Sequence, residues 1–123
     1  SIDWAWCYSA SKIFCRADKL ATVLYDCSIL ERLFIHELMH QIQSINGAPY
    51  DVDLREWGAD YVSGNGGSYM FSTRDGCMRA TQVPMLPSCT PEILKSIAYA
   101  EPEGYATQCK SELRSYILSR FCN

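Results

Sequence analysis

Between Ser28 and Asn46 the apolar residues Leu30, Leu33, Phe34, Leu38 and Ile42 recur at spacings of three and four, which predicts an amphipathic helix with one stripe to bury. Ser28 followed by Glu31 has the form of a capping box for its first turn, and Gly47 and Pro49 end the pattern. Upstream, Ile13, Ala17, Leu20, Ala21 and Leu24 keep helical spacing from Ser9 to about Tyr25, with Ser9 or Ser11 as cap. Residues 1–8 are aromatic and alternate as a short strand or a lid would. Downstream, VDLREWGADYVSG predicts a helix from about Asp53 to Ser63, closed by Gly64, with Leu54, Trp57, Tyr61 and Val62 on its apolar side. The turn-rich NGAPYD joining it to the first long helix is short, so the two should run antiparallel.

From Gly64 to Pro87 the chain is irregular, with a GNGGS cluster and SYMFST as a short-strand pattern, and a connection of this length could wall a cleft. Thr90-Pro91-Glu92 then supplies a cap, a first-turn proline and a first-turn acid for a helix to about Ala100. EPEG breaks it, and Tyr105 to Phe121 should form a last helix with Leu113, Tyr116, Ile117 and Phe121 inward. The expectation is one domain over residues 1–123, mainly α with a small or vestigial sheet, α+β being the alternative.

Composition narrows the function classes. A chain of 123 residues with 48% hydrophobic and 20% charged residues is ordinary for a globular domain. A formal net charge of -3 without a basic run argues against a nucleic-acid partner, and no apolar run approaches a membrane span. The seven cysteines, Cys7, Cys15, Cys27, Cys77, Cys89, Cys109 and Cys122, are dispersed, and none pairs at the two-residue spacing of a zinc knuckle. They predict a disulfide-stapled fold and a secreted, extracellular location, and a bridge from Cys27 would pin the entrance of the helix that begins at Ser28. Their odd number leaves one thiol free or available for an interchain disulfide. The start at Ser1, without Met or signal peptide, is what a processed form of a longer precursor would show.

The chemistry concentrates in His36-Glu37-Leu38-Met39-His40, an H-E-x-x-H motif that contains both histidines of the chain. Four residues apart on a helix, the two imidazoles share a face with Gln43, distinct from the apolar stripe, and both can reach one ion. Glu37 lies at the edge of that face, where its carboxylate can take a proton from water activated by a metal. A third ligand is required, and Asp51, Asp53, Glu56 and Asp60 are available. Glu56 ranks first. The chain runs about six residues from His40 to the helix end and returns about five to Glu56, so at about 1.5 Å per residue the two legs match. Asp60, four residues on, can accept the free ring N–H of a histidine. The competing assignment is a capping box between Asp53 and Glu56.

HELMH followed by REWGADYVSG resembles the gluzincin metallopeptidases, whose signature is H-E-x-x-H and a later E-x-x-x-D or E-x-x-A-D. The resemblance covers residues 28–64. It implies a minimal zincin-like helical domain, with zinc (Zn2+) held by His36, His40 and Glu56, Glu37 as general base and Asp60 bonded to His36. Two departures stand out: a short gap between His40 and Glu56, and only 35 residues before the motif, where the family usually has a sheet. A second resemblance is to the aspzincins, in which an aspartate soon after the motif binds zinc, Asp51 here, although their G-T-x-D-x-x-Y-G signature is not intact.

The function expected is that of a secreted zinc-dependent endopeptidase acting on a peptide or protein substrate, with Tyr50, Tyr61, Tyr69 or Tyr105 as oxyanion donor. The alternatives are a non-catalytic zinc-binding secreted protein and a disulfide-stapled helical interaction protein without metal.

Overall fold

The computed structural model describes residues 7–47, 51–64, 68–70, 80–82, 85–102 and 107–120. Their order is β1 (Cys7–Ser9), β2 (Ile13–Cys15), α1 (Ala17–Ala21), α2 (Cys27–Ile45), α3 (Val52–Ser63), β3 (Ser68–Met70), β4 (Ala80–Gln82), α4 (Pro91–Ala98) and α5 (Thr107–Leu118). Among the described residues the protein is mainly helical, with two small antiparallel sheets, β1–β2 and β3–β4, and two disulfides. None of the described helices is long and apolar enough to cross a membrane.

The core lies between α3, α4 and α5, where Trp57, Leu94, Ile97, Ala98, Cys109, Leu113 and Ile117 are buried together. Leu54, Tyr61 and Val62 pack against them from α3, in keeping with the apolar side read from the sequence. Full burial of Leu113 and Ile117 contributes about 1.5–3 kcal/mol each. The Cys89–Cys109 disulfide ties the segment before α4 to α5. The Ser88 backbone N–H (2.9 Å) and hydroxyl (2.6 Å) donate to the Glu112 carboxylate alongside it. Thr90 caps α4 as expected, accepting from Ile93 N–H at 3.2 Å. The result is a firm platform that presents the opposite side of α3 to α2.

Four sequence expectations are corrected. The stretch from Ser9 to Cys15 is hairpin, not helix: Cys7 and Cys15 are cross-strand neighbours closed by a disulfide, and Tyr8 stacks on Phe14 at 5.1 Å. Cross-strand pairing and a covalent staple outweigh helical spacing there, and only residues 17–21 realise it. The cap of α2 is Asp26, which accepts from Ser28 N–H at 3.0 Å; the Ser28 hydroxyl itself donates to Asp26 at 2.6 Å. Cys27 pins nothing, since its thiol is free and exposed.

The fourth correction matters most. Of the supposed buried stripe of α2, Phe34, Leu38 and Ile42 are exposed, at 39%, 47% and 36%, while Glu37, Met39 and Gln43 are the buried positions. The helix turns its polar face to α3 because α3 offers partners for it. His36 lies opposite Asp60, His40 opposite Glu56 and Gln43 opposite Arg55, which also makes the pair antiparallel as expected. The short strand expected in SYMFST is found at its start as β3, the rest lying outside the described residues along with residues 1–6, Cys77, Tyr105, Phe121 and Cys122.

Candidate metal centre

His36 and His40 stand one turn apart on α2 with their rings edge to face, centroids 4.8 Å apart at 87°. Their Nε2 atoms are 3.1 Å from each other. Across the seam, Glu56 places Oε2 3.1 Å from His36 Nε2 and Oε1 3.2 Å from His40 Nε2. An ion with tetrahedral geometry and bonds of about 2.0–2.1 Å separates its ligand atoms by about 3.3 Å. The three side chains therefore form a group that could hold a metal ion.

The partners behind the rings decide which nitrogens face inward. His36 Nδ1 lies 2.7 Å from Asp60 Oδ1, and His40 Nδ1 lies 3.0 Å from Gln43 Oε1. Both partners are acceptors, so each Nδ1 carries the ring proton and each Nε2 turns a lone pair inward. Two imidazole lone pairs and a carboxylate converging at this range repel one another unless a cation lies among them. This is the observation on which a metal ion fits.

Without a metal, a proton must serve as that cation. Burial opposes the charge on His36, but the carboxylates of Asp60 and Glu56 outweigh it and raise its pKa from 6.5 to about 10. Burial likewise opposes ionised Glu56, and the protonated His36 beside it, with His40 adjoining, holds its carboxyl well below the usual range. A folded-state pKa above the unfolded value stabilises the fold below the unfolded pKa, and that contribution fades as pH climbs through the folded one. The chelator-treated protein should therefore lose thermal stability from about pH 6.5 towards pH 10. Added zinc should flatten the trend by replacing the proton. Thermal melts across this range check it, and a flat chelator-treated profile would contradict the arrangement.

Glu37 sits beside the triangle rather than in it, with Oε1 4.0 Å from His36 Nε2. It is buried, and the single hydroxyl proton of Ser9 from β1 is shared between the Glu37 carbonyl oxygen at 2.5 Å and its carboxylate Oε2 at 3.0 Å. One carboxylate oxygen is thus held and the other faces the donors.

The remaining sequence candidates fall elsewhere. Asp51 caps α3, accepting from Leu54 N–H at 3.1 Å, and pairs with Arg114; Asp53 stays in the first turn of α3, outside the converging group. Asp60 stands behind His36 as a hydrogen-bond acceptor. Tyr61 stacks on Trp57 at 4.8 Å, and burial pushes its phenol pKa up. Tyr50, Tyr105 and the side chain of Tyr69 lie outside the described residues.

Two contributors escaped sequence reasoning. Gln43 carried a signal in sharing the histidine face, but Ser9 carried none, because its contact to Glu37 spans 28 positions. A cavity of about 210 Å³ adjoins Gln43 between α2, α3 and the end of α4; none of the three donors lines it. In comparisons with protein families, with curated proteins and with solved structures, nothing matches this chain.

Proposed function

We propose that the protein is a zinc-dependent endopeptidase that acts outside the cell. The observation that carries this reading is the inward convergence of His36, His40 and Glu56 with the free oxygen of Glu37 beside them. Two histidines and a glutamate are a donor set of catalytic zinc, which keeps one coordination position for water or substrate. Zinc bound there supplies Lewis acidity, polarising a peptide carbonyl and lowering the pKa of water towards neutrality. Glu37 Oε1 takes the proton of the attacking water and passes it to the leaving amine, while Ser9 keeps the other oxygen in place. Asp60 holds the His36 ring in the tautomer that presents Nε2. Among the described residues, the two disulfides are compatible with an extracellular protein, and the exposed Cys27 is the thiol available for an interchain bond.

A second reading, zinc binding without turnover, draws support from β1 and β2, whose three residues each offer little edge for a peptide. Elemental analysis and digestion of an unfolded protein substrate separate the two. About one zinc per chain, with cleavage abolished by a chelator and restored by zinc, is the expected result. Zinc without cleavage selects the second reading. A chain that takes up no zinc leaves the metal-free interaction protein.

Ser9→Ala should lower cleavage about tenfold with zinc content unchanged, the effect of removing one hydrogen bond to a charged group. Full activity in that variant would show that β1 does not position the carboxylate.

A further inference from the structure

We propose that Gln43 is a positioning residue for His40, setting the zinc affinity of the centre and linking it to the C-terminal end of α4. The inference rests on the metal-centre reading above and assigns within it a residue that touches no metal.

Gln43 is 1% exposed. Its Nε2 donates to Arg55 O at 3.1 Å and to Ala98 O at 2.9 Å. An amide nitrogen has two hydrogens, and both are used on backbone carbonyls. Flipping the amide would set Oε1 against those carbonyls, so the orientation is fixed by chemistry. Oε1 must face His40 Nδ1, 3.0 Å away, and can only accept. His40 Nδ1 therefore donates, and its Nε2 keeps a lone pair for the metal. Asp60 does this for His36 with a charge; Gln43 does it for His40 without one.

One anchor of Gln43 is the fully buried Ala98 and the other the half-buried Arg55. The end of α4 closes on itself, with Ala100 N–H donating to Ile97 O at 3.0 Å, Glu101 N–H donating to Ser96 O at 2.9 Å, and Ala100 held at φ +58°. That closure leaves the Ala98 carbonyl for Gln43 and the Tyr99 carbonyl for Asn46, whose Nδ2 donates at 2.8 Å. Gly58 permits the approach, since a Cβ there would stand 2.8 Å from Ala98 Cα and 3.0 Å from Gln43 Nε2. A shift of the α4 terminus would thus be felt at His40 through a single amide.

The test is zinc affinity, measured by competition with a chromophoric chelator, beside the thermal stability of the metal-free protein. Gln43→Met keeps the length and removes the acceptor, and should weaken zinc about 10–100-fold. Gln43→Glu keeps an acceptor atom but loses both donors that aim it at His40, so a folded variant should weaken zinc about tenfold and melt at lower temperature. Asn46→Ala removes the neighbouring anchor on α4 without touching His40, and should lower stability alone. Wild-type affinity in Gln43→Met overturns this inference and leaves the metal-centre reading standing. Should Gln43→Met fail to fold, wild-type affinity in folded Gln43→Glu overturns it instead. A wild-type chain that binds no zinc overturns the metal-centre reading, and this inference falls with it.

Discussion

Glu37→Gln is expected to retain about one zinc per chain and to cleave peptides two to four orders of magnitude more slowly, roughly the contribution of a positioned general base. The substitution preserves shape, and a glutamine oxygen can still accept the Ser9 hydroxyl that now bonds Oε2 at 3.0 Å. What it loses is basicity. Since Glu37 is 5% exposed, exchanging a buried carboxylate for a neutral amide should leave folding intact or slightly improved. Its Oε1 lies 4.0 Å from His36 Nε2, beside the donor triangle, so the metal content should not follow the activity down. His40→Ala supplies the contrast, because it removes a donor and should lose metal and activity together. Cleavage at the wild-type rate by Glu37→Gln would end the assignment of Glu37 as base. Parallel loss of zinc would instead make it a ligand.

Gly58→Ala is the second large effect, and its sign runs against helix propensity. Alanine is favoured over glycine in a helix interior by about 1 kcal/mol. Here, however, the added methyl would meet the Cα and carbonyl oxygen of Ala98 at 2.8 Å each, and backbone cannot rotate out of the way as a side chain can. Overpacking of this kind costs about 1–3 kcal/mol. The metal-free variant should accordingly unfold at lower urea than wild type. Because the same methyl would press on Gln43 Nε2 at 3.0 Å, zinc affinity should fall as well. A variant as stable as wild type would mean that α3 and α4 do not approach this closely.

The elements most legible in the sequence are those whose signals are local. Thr90-Pro91-Glu92 announced α4, and the apolar period with its closing Gly64 announced α3, since both depend on atoms within a few residues of one another. The His36/His40 pair was legible for the same reason, four residues being about one helical turn. Glu56 could be ranked ahead of Asp51, Asp53 and Asp60 because the two legs of a helical hairpin have calculable lengths. The failures are equally physical. The β1–β2 hairpin depends on a disulfide and cross-strand pairing that periodicity does not report. The burial of α2 was read from hydrophobicity, which cannot foresee that a polar face will be buried when a neighbouring helix satisfies its hydrogen bonds.

The amino-acid order alone set the helical spacing that stacks His36 on His40, the cap at Thr90, and the return path that brings Glu56 to their level. It left undetermined which way α2 faces, that Ser9 reaches Glu37 across 28 positions, and that Gln43 ties His40 to the end of α4 across 55. These depend on where helices and hairpin come to rest against one another. Spacing acts through bonds and is written residue by residue, whereas a contact between distant segments exists only after the whole chain has packed.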